Sequence, residues 1–123
     1  MPTLRSQHTG SALHVSVRPQ DGVDVVVVVG EIDIATAPQL TAAIDQLLVT
    51  GRRHLIVDLE AVTFLDAAAL AALITATSAV AVLGGTLQVT HSPRLMALLE
   101  FTRETHRIDV ATSMQPPAPG ARR

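Results

Sequence analysis

The chain has no cysteine, no tryptophan and no tyrosine, and its only aromatic residues are Phe64 and Phe101. The missing cysteines exclude disulfides, thiol nucleophiles and zinc–thiolate centres. With so few aromatic faces, single-stranded nucleic acid has almost nothing on which to stack. Charge is also scarce, at 16% of residues with a net of −2, and no basic stripe runs along the sequence to meet a phosphate backbone. The five histidines, His8, His14, His54, His91 and His106, show no metal-ligand spacing. No Gly-x-x-x-x-Gly-Lys-Ser/Thr loop is present, so nucleotide hydrolysis is not expected. No cofactor or metal site is expected. Asp24, Asp58 and Asp66 form no readable catalytic pair, and the chain reads as a non-enzyme.

What is present is aliphatic. Hydrophobic residues make up 48% of the 123, mostly Ala, Val and Leu, which is enough for one domain with a real core. Residues 1–11 are polar, lack the apolar centre of a signal peptide, and read as a flexible N-terminus of a cytoplasmic protein. Residues 113–123 contain Gln115-Pro116-Pro117-Ala118-Pro119-Gly120 and read as a disordered, proline-rich tail. The domain is expected over 12–112. Between Ala67 and Pro93 there is no Asp, Glu, Lys or Arg. The stretch is interrupted by Thr75, Thr77, Ser78 and Gly84-Gly85, so it predicts a buried helix and a strand, and no membrane span.

Strands and helices alternate. Ala12 to Arg18 alternates in polarity and predicts an edge strand. The five valines Val25–Val29 predict a strand covered on both faces, closed by Gly30. Thr36-Ala37-Pro38-Gln39 predicts a helix start, with Thr36 as N-cap and Gln39 as its capping-box partner. Leu40, Ile44, Leu47 and Leu48 supply that helix's buried stripe. His54 to Leu59 is the next strand. A loop then ends in Asp66, which caps a second helix running to about Leu83. Thr86–Thr90 is a strand, Ser92-Pro93 opens a third helix with Leu95, Met96 and Leu99 inward, and Arg107–Val110 is a short final strand. The pattern predicts an α/β domain with a mixed sheet of about four to five strands.

On the second helix, a spacing of about 100° per residue groups Leu70, Leu73, Ile74, Thr77 and Ala81 on the sheet side. The opposite side then carries Ala68, Ala72, Thr75 and Ala79, small and uncharged where a solvated helix usually carries Lys, Glu or Arg. A partner, or a second copy of the chain, is expected to cover it. The competing explanation is that alanine is simply a good helix former.

Several motifs in order resemble the STAS domain, the fold of bacterial anti-sigma factor antagonists. They are Gly30-Glu31-Ile32-Asp33, Val57-Asp58-Leu59, Phe64-Leu65-Asp66, Leu83-Gly84-Gly85 and Ser92-Pro93, spread over roughly Ala12 to Val110. In that family the residue after the signature Asp is a phosphorylatable Ser or Thr. Here Ala67, Ala68 and Ala69 follow Asp66, so the acceptor oxygen is absent at position 67. Thr102 is followed by Arg103-Glu104 where the family often has Gly-Leu, which suggests a differently shaped turn.

The resemblance implies a regulator that binds an anti-sigma factor of ATP-binding, kinase-like fold and cannot be switched off by phosphorylation at 67. A phosphate there would add about −1.5 to −2 charges beside Asp66 and repel a docked partner. Thr63 is the best remaining hydroxyl but reads as a turn or packing residue. The expected contact residues are Asp33, Asp66, Ala67, Ala68, Ala69, Ala72 and Thr75. Asp66 reads first of all as an N-cap. A homodimer fits the uncharged helix face. Two further readings stay open: an accessory subunit on the ATPase of an ABC-type lipid transporter, and a small-ligand sensor on the same scaffold.

Overall fold

The computed structural model describes residues 13–111, so the expectations for 1–11 and 113–123 lie outside the described residues. Five strands form one sheet in the order β1-β2-β3-β4-β5. They are β1 (Leu13–Gln20), β2 (Val23–Ile32), β3 (His54–Leu65), β4 (Thr86–Thr90) and β5 (Val110–Ala111). β1 is an antiparallel edge joined to β2 by a tight turn at Asp21-Gly22, both with positive φ. The β2–β3, β3–β4 and β4–β5 pairs are parallel. Parallel neighbours need crossovers, and three helices supply them: α1 (Ala37–Val49), α2 (Ala67–Val82) and α3 (Pro93–Thr102).

One apolar core joins the sheet to the helices. Val26, Val28, Val57, Leu59, Leu87 and Val89 meet Leu40 and Ile44 of α1, Leu70, Leu73 and Val80 of α2, and Leu95 and Leu99 of α3. All three helices therefore lie on one face of the sheet. The valine run is only partly covered on both sides. Val25 and Val26 are fully buried, whereas Val27 is half-buried and Val29 is 43% exposed. Period-2 alternation sends Val25 and Val29 to the face away from the helices.

Beyond shifts of one or two residues at other element ends, three boundaries differ from the sequence-based expectation. β3 runs on to Leu65, through the stretch expected to be loop. Two register shifts against β2, between Val27 and Val29 and between Gly30 and Glu31, insert extra residues into β3. Each bulge turns the side-chain alternation by one residue, so Leu59, Val62 and Leu65 are buried at intervals of three. β2 likewise continues beyond Gly30 to Ile32. The final strand is Val110–Ala111, and Thr105–Arg107 forms a single 3-10 turn before it.

Thr36 stands at the N-cap of α1 but makes no side-chain cap bond, and its backbone is helical. Its Oγ1 donates to the Glu31 carbonyl at 2.8 Å instead. Gln39 does not complete a capping box; its Nε2 donates to the Leu13 carbonyl at 3.1 Å and ties α1 to the edge strand. Arg103 ends α3 with φ 61° and ψ 38°, the left-handed conformation that glycine adopts freely. The Glu104 N–H then closes on the Leu99 carbonyl at 2.9 Å, so the turn is a glycine-type helix end built with an arginine. Gly85 is required by contact: a Cβ there would lie 2.1 Å from the Arg53 carbonyl oxygen.

Candidate protein-docking site

Parallel strands end together. Ile32 pairs with Leu65, so Asp33 and Asp66, the next residue on each strand, leave the sheet side by side. Neighbouring strands are about 4.8 Å apart, which brings the two turns and the starts of α1 and α2 to one end of the molecule.

Both carboxylates are occupied by their own backbone. Asp66 caps α2 through Oδ1, which accepts from the N–H groups of Ala68 at 2.9 Å and Ala69 at 3.3 Å. The expected cap is therefore present. Asp33 Oδ1 accepts from Ala35 N–H at 2.9 Å, Thr36 N–H at 3.0 Å and Thr36 Oγ1–H at 3.1 Å. Its carbonyl also accepts from Thr36 and Ala37 N–H, at 3.2 and 2.8 Å. Asp33 thus does the capping work that the sequence assigned to Thr36.

The three alanines after Asp66 separate by helix geometry. Ala67 is exposed and Ala68 is half-buried. Ala69 is fully buried in the core, so it is withdrawn from the expected contact surface. Ala72 is half-buried and packs against the core, while Thr75 is exposed. The solvent face of α2 is therefore Ala67, Ala71, Thr75, Ser78, Ala81 and Val82, rotated from the expected one, and none of these residues is charged. The expected axis was displaced because α2 is apolar all round. Ala69 and Ala76 are buried as deeply as leucines, and composition does not show which alanines face inward.

Exposed large apolar side chains stand on the segments that lead into α1 and α2 and at the end of α3. Ile34, at the tip of the Asp33 turn, is 81% exposed; Phe64, two residues before Asp66, is 44% exposed. Phe101 of α3 is 86% exposed and precedes Thr102, which shares a groove with Ala67, Ala71 and Thr75. A second groove, of about 460 Å³, separates α1 from α2 and is lined by Ile34, Pro38, Ala42 and Ala68 among others. An isolated exposed apolar residue is ordinary, but several of them beside an uncharged helix face mark a surface suited to a protein partner. The remaining hydroxyl in the β3 end, Thr63 Oγ1, donates to the Gly30 carbonyl at 3.3 Å, consistent with its packing role.

A family model described as "Mlab, STAS domain" matches residues 15–110. The chain belongs to the STAS family. Among solved structures, this STAS domain is similar to an anti-sigma factor antagonist from Mycobacterium paratuberculosis, with 28% identity and a TM-score of 0.71 over 85% of this chain and 89% of that one. A putative anti-sigma factor antagonist from Thermotoga maritima matches with 16% identity and a TM-score of 0.73, over 81% of this chain and 87% of that one. The phosphorylated form of SpoIIAA, a Bacillus cell fate determinant, matches with 18% identity and a TM-score of 0.62, over 83% of this chain and 93% of that one. At these last identities the likeness is one of fold. No curated protein matches the chain. Among the described residues, no helix of this STAS domain is long and apolar enough to cross a membrane.

Proposed function

We propose that this STAS domain is a non-enzymatic anti-sigma factor antagonist that binds an ATP-binding, kinase-like anti-sigma factor and lacks the usual phosphorylation switch. The observation that carries the reading is Ala67, exposed at the N-terminus of a capped helix, in the position to which the STAS resemblance assigns the phosphorylatable hydroxyl. A methyl group there has no oxygen to accept a phosphoryl group. The helix surface beside it, with Ala67, Ala68 and Thr75, is small and uncharged and lets a partner approach closely, and Ile34 and Phe101 stand exposed on the neighbouring elements. Asp33 and Asp66 fix the two turns that flank it.

The test is calorimetric titration of the chain with purified anti-sigma factors of that fold, followed by ATP and mass spectrometry. The expected result is a complex that ATP does not dissolve, with the mass of this chain unchanged. Ala67→Ser should gain one phosphoryl group under the same conditions. Ala67→Glu should weaken the complex, because it places a charge in the contact, by roughly tenfold or more. A phosphate on the unmodified chain coupled to release would overturn the reading, as would the absence of any complex.

The missing hydroxyl also favours one alternative: an accessory subunit on the ATPase of an ABC-type lipid transporter, a partner whose docking does not depend on phosphate at this loop. Pairwise binding to the transport ATPase, with none to an anti-sigma factor, distinguishes it.

A further inference from the structure

We propose that the groove between α1 and α2 seats a basic side chain of the partner, its apolar stem lying on Pro38, Ala42 and Ala68 and its charged head meeting Asp45. The inference deepens the proposed function and rests on it for the identity of the partner; the chemistry of the groove stands on its own.

The segment that builds this groove carries charge of one sign; of the cations that follow it in sequence, Arg52 is paired with Asp24 and Arg53 donates to the Leu48 carbonyl at the far end of α1 at 3.0 Å. Between Gly30 and Gly51 the only charged residues are Glu31, Asp33 and Asp45, and α2 contributes none. Asp33 is engaged by its own turn through Oδ1. Asp45 is exposed and is the groove's one charged lining residue. It has no hydrogen bond or ion pair among the described residues.

The carboxylate does nothing for its helix. Asp45 lies one turn before the end of α1 at Val49, on the side where carbonyl dipoles disfavour an anion. Its neighbours at three and four residues, Thr41, Ala42, Leu48 and Val49, offer no cation. A carboxylate that costs its helix stability, standing over an apolar groove, complements a ligand that is apolar along its length and positive at its tip. Lys and Arg have that form, with an aliphatic stem and a charged head.

One edge of the groove is held in place by its own turn. Ile34 forms the rim, 81% exposed yet carried on a turn that the Asp33 carboxylate holds by three hydrogen bonds. The groove, of about 460 Å³, is shallow and open, so a long side chain lies along it in contact with solvent on its outer side.

The experiment is a backbone-amide NMR titration of the whole chain with two amphipathic peptides of about 18 residues, long enough for partial helicity in water. One carries Leu and Ala on one face and Arg on the other; the second replaces every Arg with Glu. The arginine peptide should shift Ile34, Ala42, Asp45 and Ala68, and the glutamate peptide should not. Asp45→Lys, an exposed substitution expected to leave the spectrum of the free protein intact away from the site, should weaken the arginine peptide by roughly tenfold or more. Equal response to both peptides, shifts confined to other surfaces, or indifference to Asp45→Lys would overturn the proposal. Failure to bind any anti-sigma factor, with these groove shifts present, would instead remove the proposed function and leave the groove's specificity standing.

Discussion

At position 66 one oxygen of a single carboxylate satisfies two of the N–H groups that the start of α2 would otherwise leave open. The adjacent partial positive charge of the helix favours the same anion. Asp66→Ala should therefore cost about 1 kcal/mol, measured as a lower urea midpoint with an unchanged slope, and Asp66→Asn should cost less because the acceptor oxygen is kept. A loss well above that value would mean that Asp66 also holds something beyond its cap. Helix geometry also separates the alanines. Ala67 and Ala69 are chemically identical and two positions apart, yet one is solvent-facing and the other is core.

The elements carry their own tensions. α3 ends on Arg103 in the left-handed region, where a Cβ costs about 1–2 kcal/mol that glycine avoids. Arg103→Gly should raise stability by about 1 kcal/mol, less the entropy that glycine adds to the unfolded chain, and a thermal melt would show the midpoint rising. A falling midpoint would show that the arginine side chain contributes contacts that outweigh the backbone strain. In β3 the two bulges do the positioning. They lengthen the strand, keep Leu59, Val62 and Leu65 on the core, and deliver Asp66 beside the turn that follows Ile32. The same bulges hide the strand from a reading based on alternation.

Across the molecule, the lower end of the sheet is tied by Arg52 and Asp24. Arg52 Nε donates to Asp24 Oδ2 at 2.9 Å, and Arg52 Nη2 donates to Oδ1 at 3.1 Å. The hydrogen bond, and after it the charge of Asp24, push the Arg52 guanidinium pKa upward. A raised basic pKa gives stability that is complete below the unfolded value and fades only as pH climbs through the folded one. The pair therefore contributes evenly across neutral pH. The two ends differ in exposure: the Arg52 side chain is 51% accessible and that of Asp24 is 8%. Arg52→Ala leaves a buried carboxylate without its cation, whereas Asp24→Ala frees an arginine into water. The exposed residue should thus be the costlier to remove, as read by the two denaturation midpoints. The reverse order would show that packing around Asp24, and not its charge, dominates.

The α/β alternation, the edge position of β1, the bounds of β4, the Asp66 cap and the family were all legible in the amino-acid order, because each of these is written in local residue chemistry. Residues at fixed short spacings specify caps, turns and apolar stripes without reference to the rest of the chain. Packing in the folded chain settled which alanines of α2 reach solvent, because a helix without charge carries no mark of its outer face. It also decided that Asp33, and not Thr36, organises the entry to α1, and that Gln39 reaches back to Leu13. It placed Ile34 and Asp45 on one groove with Ala68. Those outcomes depend on contacts between residues distant in sequence, and the sheet's parallel register is what brings them to the same end.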